Sequence, residues 1–136
     1  MQRTIRQLFS KNRHWIFFLS AAAALAVWLP YGLKPEFRGS YESPRGVYRV
    51  EYYTASPLQW ILNHHMKIPS FVRLYRNNPN EMIAESEIVD MWLNGELYWY
   101  LEPSINSVRV GNDIFFENIP PECTDCPPLT DKEIMP

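Results

Sequence analysis

IVDMWLNGELYWYL, Ile88–Leu101, is the stretch on which the reading of the fold turns. Two apolar runs flank Asn94-Gly95, and Asn-Gly is the strongest short hairpin signal because both central residues of a type I′ turn need positive φ. A two-residue loop sets Leu93 opposite Glu96, Met91 opposite Tyr98 and Val89 opposite Tyr100. On the other side of the pair, Trp92 faces Leu97, Asp90 faces Trp99 and Ile88 faces Leu101. Both faces are then apolar, whereas a hairpin with one solvated face alternates. The hairpin is therefore either enclosed between a helix and a second layer or open on an aromatic face that meets a partner. Asp90 beside Trp99 would be a costly lone carboxylate, so it needs a cation, and Arg49, Arg73 and Arg76 are the candidates.

Outward from this hairpin the chain reads as an antiparallel meander. Gly46–Tyr53 (GVYRVEYY) alternates, with Tyr48, Val50 and Tyr52 on one face and Arg49 and Glu51 on the other. Ser56-Pro57-Leu58-Gln59 is a capping-box signature, which predicts a short helix to His65 or Met66 that packs Leu58, Ile61, Leu62 and His65 on the sheet. Phe71–Arg76 is a strand, Asn77-Asn78-Pro79-Asn80 a turn, Met82–Leu93 and Glu96–Leu101 the hairpin strands. Gly111-Asn112 is a second tight turn, between Ser107–Val110 and Asp113–Glu117. The fold class is α+β, mostly an antiparallel β meander of about six strands with one short helix, preceded by an N-terminal transmembrane helix.

The 136 residues suffice for one small domain. Aromatic residues at 15% and twelve prolines against five glycines favour sheet over helix bundle. Residues 1–34 hold five Lys or Arg and no acid, while 35–136 hold eight basic and all fifteen acidic residues, giving +5 and −7. An acidic body has no electrostatic reason to seek nucleic acid.

The positive charge marks a basic N-terminus, 1–14, that precedes an uncharged run at 15–33, near the length a helix needs to cross a bilayer. Arg3, Arg6, Lys11, Arg13 and His14 lie ahead of the run, so the positive-inside bias keeps the N-terminus cytoplasmic and sends the body to the periplasm as a single-pass inner-membrane protein. Trp15, Trp28 and Tyr31 suit a retained span, while Ala24-Leu25-Ala26 also fits a signal-peptide cleavage site. Residues 34–45, with Pro35, Gly39 and Pro44, read as a linker, 46–118 as the sheet domain and 119–136 as a Pro-rich irregular tail.

The tail carries Cys123-Thr124-Asp125-Cys126. Prolines on both sides leave no helix to activate a thiolate, so a local disulfide is the reading, ahead of a metal or redox site. His64 and His65 are adjacent and point to different sides of a helix, which disfavours a metal centre, and the letters of a triad in Ser86, His64 and Asp90 lack a nucleophile elbow. No catalytic residues, cofactor or small-molecule substrate are therefore expected. Glu81, Glu85, Glu87, Asp90 and Glu96 form an acidic rim around the hairpin. With the aromatic surface this gives Glu85, Glu87, Asp90, Trp92, Glu96 and Trp99 as candidate partner-binding residues.

SPRGVYRVEYY (Ser43–Tyr53), FVRLY (Phe71–Tyr75) and ESEIVDMW (Glu85–Trp92) resemble a family of short membrane-anchored proteins of Gram-negative bacteria, over roughly residues 43–120. Proteins of this layout are similar to immunity proteins that neutralise antibacterial toxins delivered by contact-dependent or type VI secretion. The resemblance implies a protein partner, a toxin, and supplies no catalytic residues. A subunit of an envelope assembly is the alternative, pairing with its neighbour through a sheet edge.

Overall fold

The computed structural model describes residues 2–102 and 105–135, with side chains from Trp15 onward. Met1 and Pro136, and the side chains of the basic flank at residues 2–14, lie outside that description. The chain divides into two units, residues 1–34 and 35–136. The first is a single helix, α1 (Gln2–Leu33), whose segment Trp15–Leu33 has mean hydropathy 1.9 and no buried residues, long and apolar enough to span a membrane.

The second unit is α+β, with two antiparallel sheets. One sheet takes the order β1 (Glu36–Glu42), β2 (Tyr48–Thr54), β3 (Pro69–Arg76), β4 (Glu81–Glu85), with the two-residue β5 (Val89–Asp90) also on β3. The other takes the order β6 (Leu97–Glu102), β7 (Ile105–Val110), β8 (Ile114–Phe116). Alternation builds the core between them. Tyr48, Val50, Val72 and Leu74 point inward from the first sheet, and Leu97, Trp99, Leu101, Val108, Val110, Ile114 and Phe116 from the second. On the outer face of the first sheet the guanidinium of Arg73 lies over Tyr53, 4.6 Å from the ring centre, and Arg49 lies 4.4 Å over Tyr75.

The expected hairpin at Asn94-Gly95 does not form. Neither residue has positive φ, β5 pairs with Pro69 and Ser70 of β3, and among the described residues β6 pairs only with β7. The Asn94 side chain has a stronger use. Fully buried, it donates from Nδ2 to Asp90 O (3.0 Å) and Asp113 Oδ2 (2.7 Å), and its Oδ1 accepts from the backbone N–H groups of Asn112 (2.8 Å) and Asp113 (3.0 Å). Four hydrogen bonds in a dry environment outweigh a turn preference of local origin. Consequently Trp92 and Trp99 share no face. Trp99 is fully buried, while Trp92 is 62% exposed.

Three boundaries also move. The expected linker at 34–45 holds β1, hydrogen-bonded to β2 along its length with a bulge at Arg38, because Phe37, Gly39 and Tyr41 find partners in Tyr53, Tyr52 and Val50. Only Lys34 and Pro35 separate α1 from it. The described residues form eight strands rather than about six. The tail belongs to the domain as well: Ile119 and Leu129 are buried, Tyr48 donates its hydroxyl to Pro120 O, and Glu122 takes Arg45 (2.8 Å) and the Ser43 hydroxyl (2.9 Å). It ends in α3 (Asp131–Ile134), which lies against β6. Cys123 and Cys126 pair as a disulfide with their Cα atoms 5.6 Å apart.

The Gly111 φ of 59° suits its turn, and a Cβ there would lie 2.3 Å from Asn94 Cα. Asn94→Ala and Gly111→Ala are each expected to lower stability by about 2 to 4 kcal/mol in chemical denaturation, through orphaned buried groups and backbone strain respectively. Gly95→Ala, with nothing within 4 Å of the new methyl, should leave it nearly unchanged. A type I′ turn at Asn94-Gly95 would instead make Gly95→Ala costly as well.

Candidate functional site

A cleft of about 980 Å³ opens where β1 and the approach to β6 diverge. Its position follows from register. Gly39 pairs with Tyr52 and Tyr41 with Val50, which puts Tyr41 on the inward face of the first sheet, its ring edge-on to Tyr52 at 5.8 Å. Thr54 and Ser70 are opposite one another on β2 and β3 at the end of that face. Tyr52, Thr54 and Ser70 thus bring three hydroxyls to the cleft. Trp60, Ile68, Met91 and Met135 add apolar surface, and Arg38, Lys67 and Glu96 add charge.

Trp60 comes from α2 (Pro57–Leu62), a helix held by its ends. The Ser56 N–H donates to Gln59 Oε1 (2.9 Å), Ser56 Oγ accepts from the Gln59 N–H (3.4 Å), and Pro57 occupies the first turn. Asn63 closes the other end with its N–H and its Nδ2 on Gln59 O, at 2.9 and 2.8 Å. The helix therefore stops at Leu62, short of the expected His65, and both His64 and His65 are exposed. It buries no residue: Leu58 and Trp60 are about half exposed, and Ile61 and Leu62 are each 69% exposed. The helix is not the cover predicted for the sheet, and its apolar side chains remain at the surface.

Asp90 fixes the adjoining rim. Among the described residues it takes no arginine: Arg49 binds Glu51, Arg73 binds Glu85, and Arg76, the third candidate, leaves its buried Nε without a hydrogen-bond partner. Its carboxylate accepts instead from the backbone N–H groups of Lys67 (2.9 Å), Ile68 (2.9 Å) and Trp92 (3.2 Å). The Lys67 and Ile68 N–H groups hold its carboxyl below the usual aspartate range. This nest ties segment 67–68 to 90–92, reinforced by Met91 N–H to Ile68 O (2.9 Å), and leaves Lys67 Nζ 4.5 Å over the Trp92 ring.

Of the candidate partner-binding residues, Glu96 lines this cleft, accepting from the Tyr98 hydroxyl, while Asp90 and Trp92 border it through their contacts with Lys67 and Ile68. Glu85 and Glu87 line a separate depression of about 620 Å³ with Asp113 and Glu117. Trp99, in the core, offers a partner nothing. Ser86 serves the β3–β4 ladder, exchanging bonds with Val72 through its N–H and its hydroxyl, each 2.9 Å. Tyr41, Tyr52, Lys67 and Ser70 were not singled out by sequence. Tyr41 lay in the presumed linker, where the alternation Phe37, Gly39, Tyr41 was the available signal.

Asp90 gives a pH signature. A carboxyl with a lowered folded pKa stabilises fully above its unfolded value, about 3.9, and loses that contribution as pH falls through the folded value. Urea midpoints measured from neutral pH into acid should therefore fall less steeply for Asp90→Asn than for the parent, the variant being the less stable at neutral pH. Compared with known protein families, characterised proteins and solved structures, the chain shows no match.

Proposed function

We propose that this chain is a membrane-tethered binding protein of the periplasm, and that its role is that of an immunity protein neutralising an antibacterial toxin. The observation that carries the reading is the exposed apolar rim of the cleft. Trp60, Ile68 and Trp92 stand 45%, 40% and 62% exposed, beside Ile61 and Leu62 at 69%. Soluble surfaces seldom leave so many large apolar side chains in one region without a partner for them. Trp in particular anchors interfaces, burying a large rigid area at small entropic cost. The net charge of −7 on residues 35–136 favours a basic partner, accelerating its approach without fixing the final contacts. The apolar segment Trp15–Leu33, with its basic flank toward the N-terminus, supports a tether that leaves the body outside the cytoplasm.

A second reading, an accessory subunit of an envelope assembly, draws on β1. This seven-residue strand is at the edge of its sheet, with Phe37 and Tyr41 more than half exposed.

The two readings separate by mutation. If a toxin reading frame lies beside its gene, full-length protein captured from detergent-solubilised envelopes of cells that also produce that toxin should retain it. Trp60→Ala and Trp92→Ala should each weaken the complex by about 2 kcal/mol or more with little change in melting temperature. Binding that survives both changes but is lost with Phe37→Lys on the β1 edge would favour the assembly subunit.

A further inference from the structure

We propose that the cleft is a binding site for an oxyanion carried on an apolar body, such as an aromatic carboxylate, a ligand class beyond the protein partner assigned to its rim. The polar groups of the cleft are nearly all hydrogen-bond donors. Ser70 is 4% exposed, lines the cleft, and its hydroxyl has no hydrogen-bond partner among the described residues. The Tyr52 hydroxyl is likewise without a partner there. Burial pushes its pKa up to about 12, so it is a protonated donor at neutral pH. Thr54 Oγ1 accepts from Arg38 Nε at 2.6 Å, and its hydroxyl retains one proton to give as a third donor. Lys67 adds a full charge with no carboxylate within ion-pair distance among the described residues, and Arg38 adds another, partly balanced by Glu36 at 3.1 Å.

Hydroxyls that open onto a cavity and make no hydrogen bond within the protein are satisfied by what enters it, water or ligand. Three hydroxyl donors and two cations match the acceptor-only chemistry of a carboxylate. Trp60, Tyr41, Ile68 and Met91 suit an apolar remainder, and about 980 Å³ is room for a molecule of that kind. Among the described residues Glu96 is the one carboxylate lining the cleft, and it opposes such a ligand.

The source of the oxyanion is either a free small acid or the C-terminal residue of a peptide, and one titration series distinguishes them. Full-length protein in phosphatidylcholine nanodiscs is titrated calorimetrically with 2-naphthoate, with 2-naphthamide, and with N-acetyl-Ala-Ala-Phe as free acid and as amide, against empty nanodiscs. Each acid should bind about tenfold or more tightly than its amide, the weight of hydrogen bonds to a charged group. Naphthoate ahead of the peptide acid assigns the site to small acids, and the reverse order assigns it to peptide C-termini. Tyr52→Phe, Ser70→Ala and Lys67→Gln should each erode the preference for the acid, while Glu96→Gln should sharpen it. Should Ser70→Ala fail to fold, Tyr52→Phe and Lys67→Gln carry the test at more accessible positions. Equal binding of acid and amide, no binding of either at millimolar concentration, or a preference untouched by Tyr52→Phe and Lys67→Gln would overturn the proposal. Because Trp92 does not line the cleft, loss of the protein partner in Trp92→Ala with acid binding intact would leave both assignments standing.

Discussion

The Asn94 carboxamide is the contact on which the arrangement of the two sheets depends. It joins the segment leaving β5 to the turn between β7 and β8, and so fixes where β6 begins relative to the strand it does not pair with. Buried amides are costly unless every donor and acceptor is matched, and this one is matched on both atoms. The Gly111 N–H to Glu96 O bond lies in the same neighbourhood, at 2.6 Å, and the missing side chain of Gly111 leaves the space that Asn94 fills. With that junction set, Leu97, Trp99 and Leu101 face Val50, Val72 and Leu74, and the core follows.

A hundred-residue body has little apolar area with which to hold two sheets together, and here polar brackets supply what packing alone leaves loose. Asp90 gathers three backbone donors, Asn94 makes four bonds, and Glu122, its side chain 1% exposed, joins Ser43 and Arg45. A buried ion pair of this kind adds little net stability against an apolar replacement, yet it defines position, since moving either partner strands a charge. The brackets lie around the margin of the core, which leaves side chains such as Trp60 and Trp92 free of structural duty.

Elements specified by nearest neighbours were legible in the sequence. The strands Tyr48–Thr54 and Pro69–Arg76, the capping box at Ser56 and Gln59, and the turns at Asn77–Asn80 and Gly111 depend on alternation or on a few adjacent residues. What escaped was non-local. Asn94-Gly95 carries a strong turn signal, and nothing nearby announces that Asp90, Asn112 and Asp113 will claim its side chain. The short β1 alternates Phe, Gly and Tyr among charges, a weak pattern that pairing with β2 makes decisive. The site suffered accordingly. Asp90, Trp92 and Glu96 were found because they are conspicuous, whereas Tyr41, Tyr52, Lys67 and Ser70 meet only through the register of three strands and a rim set by Asp90. Trp99 was singled out on a pairing that does not exist, and its burial in the core agrees with the enclosed reading of that stretch while removing it from any partner surface.

The tail has a kinetic consequence. Ser43, Arg45 and Tyr48 contact residues 72 to 82 positions later in the chain, and Leu129 completes a core that begins at Tyr48. Such contacts close very long loops, so their entropic cost is met late and all at once. A chain delivered from its N-terminus therefore holds Tyr48 and Arg45 uncompensated until residues 120–129 have emerged. The first sheet waits half-clad until that segment folds back upon it.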